Sequence, residues 1–266
     1  MRTYRKRARE GEIAIYREIL NQIADKYNAA WSLLLLPKAV SIDDDHGVVE
    51  LPFYRGETFN DKWNEQTGGA LLGLDLSTEI PRLIDELAWI DATIVTENER
   101  LKNVPLVFDH ATYLSTLASR LDKFVEAGFL DNKSAEKARA VLQEPYSSRP
   151  IINNGDFYPR NFIRTPDLRI VLIDWEAWNP GSPFYVVDYP ENIAAVCFVH
   201  MWNNRPWQEQ YIRQLLTLSY MKEGDFHKGV LMKSLELAEL WFEEKDHNDL
   251  CQNQIGLFRN TLVRYA

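Results

Sequence analysis

Cysteine is scarce in this chain. Cys197 and Cys251 are the only two in 266 residues, and they stand far apart with no CxxC pair, which argues for reduced core thiols over a disulfide framework or a thiolate zinc site. The five histidines form no HExxH or comparable metal-ligand spacing. No run of about 18 apolar residues exists, and the opening MRTYRKRARE lacks the apolar segment of a secretory signal, so neither membrane insertion nor export is expected. The cytoplasm is the default location. Positive charge is in the minority, with 30 Lys and Arg against 39 Asp and Glu and a net charge of −9. That balance argues against nucleic acid as a partner and favours a cationic or metal-bridged small molecule. Glycine is missing before Gly11. What the chain does have is apolar material, 45% hydrophobic and 12% aromatic, enough to bury a large core in one domain or two lobes.

The basic start TYRKRARE, taken as a strand, alternates so that Tyr4, Lys6 and Ala8 share one face while Arg5 and Arg7 share the other. A slip of one residue would turn Arg5 or Arg7 inward instead. Ile15, Ile19, Ile23 and Tyr27 repeat at helical spacing, predicting a helix over about 12–30 that carries Glu18. KAVSI and GVVELPFY flank an Asp- and Gly-containing turn and predict a hairpin. Residues 1–55 therefore read as a small α+β unit. The rest, 56–266, reads as mainly helical, with helices near 60–65, 79–96, 111–127, 134–144, 190–203, 206–222, 226–244 and 249–264. GGALLG at 68–73 has no following Lys-Ser or Lys-Thr and no preceding strand, so it reads as an ordinary loop. The acidic run Glu236, Glu239, Glu243, Glu244 and Asp246 reads as a solvated helix face, with a cationic ligand as the alternative.

Three short β-type runs, PIIN, FIRT and RIVLID, interrupt the helical part and bracket the loop NNGDFYPRNF. Asp156 beside Gly155 and Asn161 after Pro159 are each ordinary turn residues when taken singly. Turn chemistry does not explain why the next apolar run also ends in an acid, at Asp174.

Together these residues resemble the aminoglycoside phosphotransferase and choline kinase family, in which a loop HGDxxxxN is followed by a strand ending in IDWE or IDFE. Here the loop is NGDFYPRN and the strand end is IDWE. The resemblance implies an α+β, protein-kinase-like two-lobe fold: a small strand-rich lobe at 1–55 and a large helical lobe at 56–266. It also implies transfer of a phosphoryl group from ATP to a hydroxyl of a small molecule, with Mg2+. In that reading Asp156 receives the acceptor's proton, Asn161 and Asp174 ligate the metal, and Lys6, fixed by Glu18, contacts the nucleotide phosphates. Asp188 resembles a further family Asp before the following helix, and Glu176 would lie on the acceptor side or behind the metal.

Two positions depart from the pattern. Asn154 stands where the family has His, and the strands and glycine-containing phosphate loop that should precede the Lys strand would need about twenty residues where only three precede Tyr4. The small lobe is thus expected to lack its Gly-rich loop. A kinase fold that binds nucleotide or a partner without turnover, and a metal-dependent phosphotransferase or hydrolase of another kind, stand as alternatives. Acceptor identity and oligomeric state are not legible.

Overall fold

Residues 3–7 form an antiparallel strand whose alternation sets the fate of the basic start. In the computed structural model, which describes residues 2–8, 10–29, 32–58, 70–71, 74–97, 110–175, 187–201, 204–243 and 248–265, this strand, β1 (Thr3–Arg7), pairs with β4 (Val48–Pro52), placing Lys6 opposite Val49 and Arg5 opposite Glu50. β4 also pairs with β3 (Ser41–Asp43), so the order is β1-β4-β3. Because successive side chains alternate, Lys6 shares its face with buried Val49, while exposed Arg5 and Arg7 lie on the other.

Between these strands runs α1, built from an α-helical Glu10–Ala14, a π-helical Ile15–Leu20 and an α-helical Asn21–Asn28. Ile15, Ile19, Ile23 and Tyr27 are all buried, as their spacing predicts. The π-helical stretch was not legible, because apolar residues four apart suit either helix type.

A second sheet carries the loop of interest. Its order is β2 (Leu34–Leu35), β10 (Ile170–Leu172), β9 (Phe162–Arg164), β5 (Glu57–Thr58), with β10 parallel to β2 and antiparallel to β9. β10 is central, and its Ile170, Val171 and Leu172 are all buried, which explains the unbroken apolar run RIVLI. β6 (Ala70–Leu71) and β7 (Leu74–Asp75) form a small hairpin, and β8 (Ile151–Ile152) pairs antiparallel with β11 (Val187–Asp188). Asp188 lies opposite Ile151 in that ladder. Helix α2 (Leu76–Trp89), continued by a π-helical Ile90–Val95, buries Ile80, Leu83, Ile84 and Leu87. Its Glu86 accepts hydrogen bonds from the Leu33 and Leu34 backbone and from the Tyr27 hydroxyl at 2.5 Å, tying α2 to β2 and α1.

The chain divides into two compact units, Met1–Phe108 with Pro150–Asp188, and Asp109–Arg149 with Tyr189–Ala266. The strand-rich start and the NGDFYPRN loop fall in the first.

The second unit is helical: α3 (His110–Glu126), α4 (Asn132–Gln143), α5 (Pro190–His200), α6 (Arg205–Leu215), α7 (Glu223–Glu243) and α8 (Asn248–Val263). Local chemistry sets its helix starts. The Asp131 carboxylate accepts from the Ser134 N–H, the Asn204 amide oxygen accepts from the Trp207 N–H, and Pro190 occupies the first turn of α5. Leu121, Phe124, Leu235, Cys251 and Phe258 belong to its core, so Cys251 is a buried free thiol, as is Cys197 in α5. The helix expected at 60–65, Glu176, Trp178 and the glycines of GGALLG lie outside the described residues. Among the described residues no helix is long and apolar enough to cross a membrane.

Candidate active site

The NGDFYPRN loop leaves β8 and returns into β9 through a single 3-10 turn, Pro159–Asn161. Gly155 has φ +79°, a left-handed conformation that a side chain would oppose, and its N–H donates to the Asn153 amide oxygen at 2.6 Å. Phe157 and Phe162 are buried edge to face, with centroids 4.9 Å apart, and pin the loop to the core on both sides of its polar residues. The loop is thereby a rigid scaffold for Asp156 and Asn161.

Asn161 and Asp156 are held together. The Asn161 Nδ2 donates to both the backbone oxygen and Oδ2 of Asp156, each at 2.9 Å. Both amide hydrogens are thus engaged, and the Asn161 amide oxygen is the atom left for a cation. Arg160 Nη2 also lies 3.6 Å from the same Asp156 Oδ2.

A second set of bonds stitches this loop to the end of β10. Asn154 is fully buried, and its Nδ2 donates to the Asp156 backbone oxygen and the Ile173 backbone oxygen, both at 2.9 Å. The Ile173 N–H donates to the Asn161 backbone oxygen at 2.9 Å. Asn154 therefore acts as a strut between the loop and the residue before Asp174, using hydrogen bonds that a histidine ring would make differently. Behind it, Trp175 is buried and its indole N–H donates to Leu172 at 2.7 Å.

Asp174 itself has φ +61°, a conformation that costs a non-glycine residue about 1 kcal/mol or more. Its side chain is 38% exposed, and Oδ1 accepts from Lys6 Nζ at 2.5 Å. Lys6 Nζ is also 2.9 Å from Glu12 Oε1, and the Glu12 side chain is 2% exposed. Burial pulls the Lys6 pKa down, but hydrogen bonds to Asp174 and then Glu12 outweigh it and hold the ammonium well above the ordinary lysine value. Lys6 is a fixed cation at neutral pH.

This geometry corrects one sequence expectation. The partner of Lys6 in α1 is Glu12, and Glu18, assigned to that task from the resemblance, is exposed. Glu12 lies in the α-helical start of α1 and is buried, whereas Glu18 lies in the π-helical stretch on the exposed side, so one position meets Lys6 and the other does not. The signal available in the sequence was Glu12's place at the start of the buried stripe, one turn before Tyr16. Register chose Lys6 over Arg5 and Arg7: pairing Lys6 with Val49 faces it inward.

The donor set suits a hard divalent cation, since the Asn161 amide oxygen and the Asp174 carboxylate are both oxygen ligands and the latter is accessible. Among the described residues no group of three His, Cys, Asp or Glu side chains is placed to hold a metal ion.

No protein-family profile matches the chain, and no curated protein matches it. Solved structures do. A choline/ethanolamine kinase family protein from Mesorhizobium loti aligns over 97% of this chain and 80% of its own, at 15% identity and a TM-score of 0.57. The GDP and kanamycin complex of APH(2")-IIia aligns over 97% and 84%, at 14% identity and 0.59. Choline kinase LicA from Streptococcus pneumoniae aligns over 99% and 86%, at 18% identity and 0.50. The chain has the kinase-like two-lobe α+β fold of these proteins.

Proposed function

We propose that this protein is a small-molecule phosphotransferase that moves the γ-phosphoryl group of a nucleoside triphosphate to an alcohol. The observation that carries this reading is the bridging of Glu12 and Asp174 by Lys6, beside a loop whose Asp156 and Asn161 are bonded to each other and to the strand before Asp174. Structural neighbours solved with GDP and kanamycin, and with ADP and hygromycin B, support a nucleotide and a small hydroxylated acceptor as its ligands.

In this reading Lys6 binds nucleotide phosphate as a point charge, its position set by Glu12. Asn161 and Asp174 would hold Mg2+, which when bound neutralises phosphate charge and orients the triphosphate. Asp156 orients the acceptor hydroxyl. As the acceptor oxygen forms its bond to the γ-phosphorus, the bond from that phosphorus to the β-phosphate oxygen breaks and the diphosphate leaves with the electron pair. The hydroxyl proton passes to the Asp156 carboxylate. The protein's contribution is positioning and fixed charge.

A nucleotide-binding protein without turnover is the second reading, favoured by the place of β1: among the described residues it is an edge strand, paired only with β4. One experiment separates the two. Mg-ATP should raise the melting temperature of the wild type and of Asp156→Asn, and not of Asp174→Ala. Nucleotide consumption against a panel of alcohols should be present in the wild type and lost in Asp156→Asn. A shift without consumption selects the second reading, and no shift at millimolar nucleotide overturns both.

A further inference from the structure

Arg160 has a position that the phosphotransfer reading does not use. Four residues after Asp156, its guanidinium reaches to 3.6 Å from Asp156 Oδ2, beyond hydrogen-bond length, and its side chain is 62% exposed. Its carbon centre sits 5.1 Å from the centroid of the Tyr158 ring. Tyr158 is almost fully buried, so it is a fixed platform for the planar group. A guanidinium held over a ring by its charge keeps its N–H donors available to a further partner. Among the described residues, these are the only two contacts of the Arg160 head group, and neither uses its donors in a short bond. Adjacent Asn161 is buried and bonded, and Pro159 precedes it in the 3-10 turn, so both neighbours of Arg160 are held by local contacts.

We infer that Arg160 is a specificity residue that receives an anionic group, carboxylate or phosphate, on the acceptor, so that the alcohol phosphorylated beside Asp156 is an acid or a phosphate ester. This rests on the phosphotransfer reading for the word acceptor, while the anion-binding claim stands on the geometry alone. A cationic acceptor reaching Asp156 would bring its charge beside the Arg160 guanidinium, which is unfavourable. An anionic acceptor gains two parallel N–H donors from the planar fork. Two carboxylates of the acidic run are already paired with cations: Glu239 meets Arg120 at 2.7 Å and Lys123 at 3.2 Å, and Glu243 meets Lys123 at 2.8 Å. This acceptor differs in charge from the cationic small molecule that net charge alone favours.

The test uses the full chain and three small alcohols that differ in charge, glycerol 3-phosphate, glycerol and choline, with binding read by thermal shift and by titration calorimetry. The variants are Arg160→Ala, Arg160→Lys and Arg160→Glu, each with its melting temperature measured without ligand so that binding is compared between folded proteins. Glycerol 3-phosphate should stabilise the wild type, with affinity at least tenfold weaker in Arg160→Ala, partly kept in Arg160→Lys and undetectable in Arg160→Glu. Choline should show no binding to the wild type. Mg-ATP stabilisation should persist in Arg160→Glu; if it is lost together with glycerol 3-phosphate binding, Arg160 serves the nucleotide's terminal phosphate and the acceptor assignment is overturned. Choline binding at least as tight as glycerol 3-phosphate, or glycerol 3-phosphate binding unaffected by Arg160→Glu, also overturns it. Anion binding that depends on Arg160 without any nucleotide consumption would sink the phosphotransfer reading and leave this one standing; consumption with a cationic alcohol, unchanged in Arg160→Glu, would do the reverse.

Discussion

Lys6 Nζ and Asp174 Oδ1 lie 2.5 Å apart across 168 residues of sequence. The same ammonium meets the buried Glu12 at 2.9 Å, so one strand residue joins the first helix to the end of β10. Lys6→Met would leave the Glu12 carboxylate buried without its cation, and removal of one partner from a buried pair costs about 3 kcal/mol or more. Urea denaturation should therefore show Lys6→Met much less stable than wild type, and Lys6→Met with Glu12→Gln should recover a large part of the loss. If the double variant is no more stable than Lys6→Met, the pair is not coupled as described.

The left-handed backbone at Asp174 separates two effects of replacing it. Asp174→Ala and Asp174→Gly both remove the carboxylate, but only glycine adopts φ +61° without strain. Asp174→Gly should be the more stable of the two by about 1 kcal/mol, with neither responding to Mg-ATP. Equal midpoints in denaturant would show that the backbone there is unstrained.

Asn154→Ala removes two hydrogen bonds from a fully buried side chain, to the backbone oxygens of Asp156 and Ile173. The expected loss is about 2 kcal/mol, together with a fall in turnover that exceeds any change in KM, because the loop and Asp174 lose their mutual registry. Unchanged kinetics in a correctly folded Asn154→Ala would refute the strut.

In the helical unit, His227 Nε2 lies 2.9 Å from Arg264 Nη1. Burial first, and then the Arg264 charge, hold the His227 pKa below its ordinary 6.5, although Glu223 pulls the other way. A folded value lower than the unfolded one means that the stabilisation is present above about pH 6.5 and is lost as pH falls through the folded value. Stability measured between about pH 7.5 and about pH 5 should decline more in wild type than in His227→Gln, where that position no longer titrates. Parallel pH profiles would exclude His227 as the cause.

Two helical glycines should respond in opposite directions to the same substitution. A Cβ on Gly229 of α7 would sit 2.7 Å from the Glu191 backbone oxygen, and one on Gly256 of α8 would meet nothing within 4 Å. Thermal denaturation should find Gly229→Ala destabilised by about 2 kcal/mol and Gly256→Ala stabilised by up to about 1 kcal/mol. A stable Gly229→Ala would show that α5 and α7 can move apart freely.

Much of the architecture was legible because periodicity reports burial directly. The stripes Ile15, Ile19, Ile23 and Ile80, Leu83, Ile84 are buried where their spacing puts them, and the run RIVLI is a central strand. β2 was not legible, since two residues show no period and its pairing with β10 is parallel and remote. The spacing of NGDFYPRN and IDWE determined by itself that an acid and an amide share one loop and that another acid, Asp174, follows the apolar run RIVLI, because both segments are short and their local geometry follows from turn and strand chemistry. Which basic residue of RKR faces inward, which glutamate of α1 meets it, and that Asn154 ties the loop to Ile173 were decided only by tertiary structure. Each depends on the register between strands or the phase of a helix against a sheet, and a shift of one residue in either exchanges the partners while leaving every local propensity unchanged.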